Sequence, residues 1–537
     1  MHEEKSIRTR SLCALRRPLG NREQHVRERI RSVHQEISTE APLLFFILVS
    51  MAVVFAISAI QVKSLLFAFS LVTSALWRKR IGHDPYIFAS PLLLLNIILI
   101  VSYGFPAIIS AFQPTDFTIL SKPSDSAYLS MSLDVIAISW LAFSFGWLLL
   151  TIISKREGDS SPSVAVPKTA LAEPSVGSFA RILLLAWLVS PALTMLQVGA
   201  IPMAYREGLQ STGHSSSFAM ILDYLNNIGY GGVVLFLAVP ISSARRYTLK
   251  PLFFLGLAFH ILFIMGNGAK LPIILLLLSV VMGLEVHRAS GQGSRRSLRI
   301  AYLLMFLGGA FAFRVVGPYR ALANANFAVG LPQDPLKRVR AQVELFGEAV
   351  LMLGENEDSD ELQRVGESAT QRLSSLSALS RVLSYLGGSP SYDHLQTVPL
   401  VPLYAILPRD MVENKVTYIE SGEFARLNGW KFGGISVTLP GSLYWTAGYF
   451  GVIVGFVVFG LLYGWMWRRA LSNRRNACVY LVFSVLIGLQ LWEPGWDAMI
   501  INSERYAILL FGVYKIVSRT HSGRFRWKAV PTLVGQS

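Results

Sequence analysis

Apolar residues in this chain fall in long, nearly unbroken runs rather than in the narrow stripes of helices lying on a soluble core, and runs of about 20 such residues are what a helix needs to cross hydrocarbon. They occur at 43–60, 64–77, 86–112, 128–153, 180–199, 218–241, 251–266, 271–286, 299–316, 443–466, 477–493 and 504–517. The pattern predicts an all-α, polytopic integral membrane protein of about twelve transmembrane helices, with one large helical loop between the ninth and tenth spans. The runs at 64–77, 271–286 and 504–517 are shorter than a full crossing, so each is expected to be tilted or re-entrant unless flanking polar residues join the helix. The chain divides into a basic arm (1–41), a nine-span membrane domain (42–316), the loop domain (317–442), a three-span membrane domain (443–517) and a basic tail (518–537).

The loop has its own order. A Pro-punctuated start from Gly317 to Pro335 is expected to be irregular, with a helix-like run following to about Leu353. After the acidic stretch Glu355 to Glu361, apolar residues recur at helical spacing from Leu362 to Leu386, including Leu376, Val382 and Leu383, and predict an amphipathic helix. Gly387, Gly388 and Pro390 should end it. The apolar stretch from His394 to Pro408 is too broken by proline to span a bilayer and is expected to lie on the membrane surface or on the bundle.

Charge adds sidedness. Basic residues cluster at every second connection: Arg78 to Arg80; Lys155, Arg156, Lys168 and Arg181; Arg245, Arg246 and Lys250; Arg288 to Arg299; Arg468 to Arg475; and the tail. The alternate short connections hold only Lys63, Lys122, Arg206, Lys270 and Arg505. By the positive-inside rule both termini are then cytoplasmic and the loop faces out, as in a bacterial inner-membrane protein. The net charge of +16 is topology, and no nucleic-acid partner is needed to explain it. The basic start is too long for a cleaved signal peptide, so the first run reads as an anchor. Cys13 and Cys478 both fall on the reducing side, and no disulfide is expected. Gly158 to Ser178 reads as a flexible cytoplasmic linker, and no internal repeat of solenoid type is visible.

The sequence contains no Walker loop, dinucleotide fingerprint, HExxH motif or zinc-type Cys/His spacing, so neither a metal nor an organic cofactor is expected. A guanidinium matches phosphate oxygens with a planar fork of donors, which makes Arg314, Arg320, Arg372, Arg381 and Arg409 candidates for gripping a lipid pyrophosphate. Arg314 stands in the last turn of an apolar run, where a charge is costly unless it faces a polar cavity or snorkels to headgroups. Lys270 lies in a Gly-Asn-Gly-Ala-Lys turn that would let a phosphate approach, or serves as an interfacial anchor. His394, beside Asp393, is the candidate base because imidazole titrates near neutrality. Asp134 and Asp223 are buried acids expected to pair with Asn226, Asn227 or a basic partner. Glu504 and Arg505 are expected to form a local ion pair, and His260 reads as a satisfied core histidine.

Three stretches resemble the Wzy-type polymerases of O-antigen and exopolysaccharide repeat units. Gly268-Ala269-Lys270 is similar to the family's Gly-x-Arg turn, with Lys in place of Arg. Arg372-Leu-Ser-Ser-Leu through Pro390 to Leu407-Pro408-Arg409 is similar to its Arg, apolar helix and Ile-Pro-Arg. Leu443-Tyr444-Trp445-Thr446-Ala447-Gly448-Tyr449-Phe450-Gly451 resembles its Glu-Leu-Tyr-x-Asn-Phe-Gly entry to the span after the loop, with Ser442 where Glu is common. The resemblance implies a metal-independent, inverting glycosyltransferase working at the periplasmic face on undecaprenyl-pyrophosphate-linked oligosaccharide, in contact with membrane lipid and a chain-length regulator protein. It implies Arg372 and Arg409 at the pyrophosphate, with Arg314, Arg320, Lys270 and Tyr444 in support and His394 as base. An O-antigen ligase shares the span count and large loop, and a lipid-linked sugar flippase shares the spans and buried charges. A dolichol-type transferase fits less well, since the first outer connection is only Gln61 to Lys63.

Overall fold

A computed structural model describes, with short gaps, residues 42–80, 86–123, 126–198, 217–352, 375–406, 424 and 437–521. Apart from two-residue strands pairing Thr118 with Pro123 and Ile119 with Lys122, the regular structure there is helical. The main helices are α1 (Ile60–Arg80), α2 (Pro91–Leu99), α3 (Phe105–Phe112), α4 (Ser126–Arg156), α5 (Pro174–Val198), α6 (Ser217–Ala238), α7 (Ala244–Asn267) and α8 (Lys270–Ala289). They continue with α9 (Arg295–Phe327), α10 (Pro335–Leu351), α11 (Ser375–Tyr385), α12 (Val401–Ile406), α13 (Leu439–Leu471), α14 (Ala477–Gly488) and α15 (Trp496–His521). Eight stretches among the described residues are long and apolar enough to cross a membrane, and the chain is an all-α, multi-pass membrane protein. Shorter apolar helices at Phe45–Ala56, Tyr224–Ala238 and Ala477–Gly488 lie in three further expected runs.

The three short runs do not stay short. They sit inside helices of 21, 20 and 26 residues, α1, α8 and α15, because flanking polar residues such as Lys63 and Lys270 are drawn into helical turns. A helix satisfies its own backbone, which hydrocarbon leaves no other way to do, so the helix outlasts the apolar run.

Packing follows small residues. A Cβ added at Gly146 of α4 would collide with the main chain of Val457, and one added at Gly460 of α13 with the Phe143 carbonyl, so α4 and α13 touch backbone to backbone along a long seam. Gly229 and Gly232 bring α6 equally close to α5 at Trp187 and Leu184. Between membrane helices, where lipid is as apolar as a leucine side chain, such close approach is a principal source of association.

The loop segment departs from expectation at its start. Rather than being irregular from Gly317, α9 runs through Pro318 to Phe327. It is held there by Val315, Tyr319 and Ala323 packing on Leu345 and Ala349 of α10. The second half of the expected amphipathic helix is present as α11, with Leu376, Leu379, Val382 and Leu383 fully buried, while residues 362–374 lie outside the described residues. Gly387 and Gly388 end it at φ 61° and 78°, and the Gly388 N–H closes the turn on the Leu383 carbonyl. The stretch after it forms a 3-10 turn, Leu395–Leu400, and α12, which lies against α15 of the bundle.

At the end of the bundle away from the loop, the Glu285 carboxylate of α8 accepts the backbone N–H groups of Ile87, Phe88 and Ala89 and the hydroxyl of Tyr302. It anchors the turn that leads into α2. His260 is buried and its Nε2 shares a 2.7 Å hydrogen bond with the Tyr230 hydroxyl, but Nδ1 meets no partner among the described residues, so the core histidine expected to be satisfied is only half so.

Candidate functional site

The helix after the loop, α13, does not begin as a straight rod. Thr438, at φ 61°, turns the chain, and its hydroxyl accepts the Gly441 N–H. About two turns are made, and the helix then breaks at Ala447 (φ −149°, ψ 22°) and Gly448 (φ 61°, ψ −151°) before continuing to Leu471. The Gly448 conformation lies where a Cβ is essentially not tolerated. A Cβ there would also sit 3.1 Å from Pro390 Cγ, so the turn after α11 is seated on the break.

Side chains of these turns fix this joint from three directions. The Tyr444 hydroxyl donates to the Gly388 carbonyl at 2.7 Å. Ser442 Oγ accepts the Trp496 N–H at 3.2 Å, and Thr446 Oγ1 accepts the Trp496 indole N–H at 2.9 Å, which ties in the start of α15. Trp445 is buried against Tyr385 and Phe424, with ring centroids at 5.4 and 6.5 Å. From below, residues Ile100–Gly104 form a π-turn between α2 and α3. This inserts Tyr103 so that its hydroxyl reaches the side chains of Thr438 and Ser375.

Beside the joint, Lys63 of α1 reaches α4. Its ammonium lies 2.7 Å from Asp134 Oδ1 and donates to Ser130 Oγ at 2.8 Å. Lys63 retains 3% of its side-chain exposure and Asp134 22%, so the cation is sealed while the carboxylate keeps an open face. Tyr449, just past the break, lies within electrostatic reach of Asp134 and packs edge-on against Tyr444 at 5.2 Å. Tyr392, exposed and held at φ 57°, stands near Tyr444, and Met131 underlies Gly388. Together these residues form a cluster of tyrosines beside the Lys63–Asp134 pair where the loop segment meets the bundle.

The sequence candidates distribute unevenly about this cluster. Tyr444 lies in it, though buried and committed to the Gly388 carbonyl. Arg381 is half-buried on α11, and loss of water pushes its pKa below the ordinary guanidinium value. Arg314 is exposed on α9 next to Val315. Arg320 falls within α9 and Lys270 starts α8, their side chains lying outside the described set, while Arg372, His394 and Arg409 lie outside the described residues altogether. Asp134 has the basic partner expected of it, and Asp223's side chain is not described. Arg505 donates to the Tyr224 hydroxyl at 2.6 Å and stacks over that ring, a contact across the bundle that the expected local pairing with Glu504 does not anticipate.

Lys63 is the residue sequence reasoning missed, because it was read as part of a connection. Its apolar flanks, Gln61-Val-Lys-Ser-Leu-Leu, were the available signal. No metal-binding cluster of His, Cys, Asp or Glu occurs among the described residues. A second feature at the same end is an apolar cavity of about 320 Å³ between α7, α8, α9 and α10, lined by residues including Ile261, Leu276, Phe311, Tyr319 and Phe346. Set against family models, curated proteins and solved structures, the chain matches none.

Proposed function

We propose that the chain is a glycosyltransferase of the bacterial inner membrane that polymerises lipid-linked oligosaccharide repeat units, of O-antigen or exopolysaccharide, at the periplasmic face. The single observation that carries this reading is the cluster at the loop end. Helix α11, the Gly387–Pro390 turn and Leu443–Gly451, which fall within the sequence stretches that resemble the Wzy family, flank or build the joint between loop and bundle. There a partly exposed carboxylate, Asp134, stands within electrostatic reach of Tyr449. Tyrosine faces suit sugar rings, being apolar on the flat and polar at the tip.

In this reading the reaction is an inverting, metal-independent transfer. A hydroxyl of one repeat attacks the anomeric carbon of a glycan carried on undecaprenyl pyrophosphate, and the pyrophosphate leaves with the bonding pair. Catalysis is then alignment of two lipid-anchored chains and stabilisation of the leaving charge. Arg372 and Arg409 would hold the pyrophosphate with Arg314, Arg320 and Lys270, and the apolar cavity between α7 and α10 would accept part of a prenyl chain. Sidedness rests on the basic connections, Arg468 and Arg469 being at the end of α13 away from the loop.

The test is a gel of lipid-linked and surface glycan from cells lacking the gene. Single repeats on lipid with no ladder above them are expected. Normal-length polymer stranded on undecaprenyl pyrophosphate would instead make the protein a ligase, and glycan trapped on the cytoplasmic face an exporter.

A further inference from the structure

We propose that Asp134 accepts the proton of the attacking hydroxyl and that Lys63 holds it ionised and in place. The inference rests on the glycosyltransferase reading and names a catalytic group within it. Charges in a membrane bundle are costly, and an ionisable residue kept there marks a functional site by default. This pair is asymmetric. Lys63 is enclosed and spans two positions one turn apart on α4, Ser130 and Asp134. The Oδ1 atom facing it is buried, so the exposed part of Asp134 is the side away from the lysine.

That open side lies where an acceptor sugar would come. Tyr449 lies within electrostatic reach of Asp134, Tyr444 packs on Tyr449, and Tyr392 lies within electrostatic reach of Tyr444. The Gly387–Pro390 turn, seated on Met131 and Gly448, bounds the cluster on the loop side. As the acceptor oxygen bonds to the anomeric carbon, its proton passes to Asp134. The bond from that carbon to the phosphate oxygen breaks, and its electron pair departs with undecaprenyl pyrophosphate. Asp134 then returns the proton to water through its open face, while Lys63 stays charged throughout. No oxidant, metal or further reactant is needed for the balance.

The experiment uses full-length protein in detergent or liposomes, with lipid-linked repeats extracted from the gene-deleted strain as both donor and acceptor. Asp134→Asn should lower kcat by about 10²- to 10⁴-fold, the range of a positioned general base, with KM for the lipid-linked repeat within about twofold. Asp134→Glu should recover part of the rate. The double variant Lys63→Met with Asp134→Asn removes both charges, so its fold does not depend on an unpaired ion, and it should remain as slow as Asp134→Asn. Near-wild-type rate in the double variant would reduce the pair to structure and overturn the proposal. So would near-wild-type rate in Asp134→Asn accompanied by loss of rate in His394→Ala. If the wild-type protein itself extends no chain, the glycosyltransferase reading falls; if it does and the Asp134 variants do too, only this assignment falls.

Discussion

Gly448 shows how much of the joint turns on one residue. Its φ of 61° with ψ of −151° belongs to a region closed to side chains, and Pro390 occupies the space a Cβ would take. Gly448→Ala is expected to cost about 1–3 kcal/mol, the usual range for such backbone strain, seen as a lower thermal midpoint in detergent. If the proposed polymerase function holds, it should also shorten the polymer, since Pro390 must give by a few tenths of an ångström. Lys63→Met tests the neighbouring pair by a different route. Methionine fills the volume but leaves Asp134 without its counter-charge, and because the carboxylate is partly exposed a loss of about 3 kcal/mol, the low end for a broken buried pair, is expected. Neutralising Asp134 as well should return most of it. A double variant far less stable than the wild type would mean that the pair's own attraction outweighs its desolvation. At this scale the sequence announced Asp134 as an acid in need of a base and marked the Leu443 to Gly451 stretch. It could not announce Lys63 as the partner, because a contact between α1 and α4 depends on how two hairpins pack, and no local pattern encodes that.

Among the elements, the helices were legible and their ends were not. Apolar runs mark what hydrocarbon must cover, but a helix continues until its backbone finds another partner. Hence α9 passes Pro318 and is carried on by contacts with α10 rather than by membrane. Likewise the break inside α13 was hidden: Ala-Gly is unremarkable in an apolar run, and only the seated turn of 387–390 gives the kink its reason. The start of α2 is set from elsewhere too. Ser90 precedes it without a side-chain cap, and the Glu285 carboxylate gathers the N–H groups of residues 87–89 in its place. Glu285→Gln keeps the shape but turns a charged acceptor of several donors into an amide whose own N–H groups face donors. Stability should fall by about 1–3 kcal/mol, and more if the amide cannot turn its oxygen to the backbone. The damage should appear as faster hydrogen exchange at residues 86–95, with the loop-end cluster unaffected. Exchange rising first around α11 instead would show that the two ends of the bundle are coupled.

For the whole molecule the open structural question is which way the bundle sits. The helices fix an internal polarity: the loop segment, the Lys63–Asp134 pair and the apolar cavity share one end, while Glu285 and the Arg468 contact to the Leu150 carbonyl share the other. The basic connections lie at the second end, so the positive-inside rule predicts the loop end outside, the side the proposed function requires. This orientation can be read with thiols, because the chain has only two cysteines and Cys478 is buried. In a Cys13→Ser background, a cysteine placed at Ser359 in the loop should react with a membrane-impermeant maleimide in intact cells whose outer membrane has been opened. Cysteines at Ser160 and Asn473 should react only after the inner membrane is permeabilised. The opposite pattern would place the cluster in the cytoplasm. It would remove the outward orientation on which the polymerase reading rests, and with it that reading. The same labelling at a cysteine replacing His2 locates the N-terminus, and agreement with the Ser160 result would show that an even number of crossings separates the two.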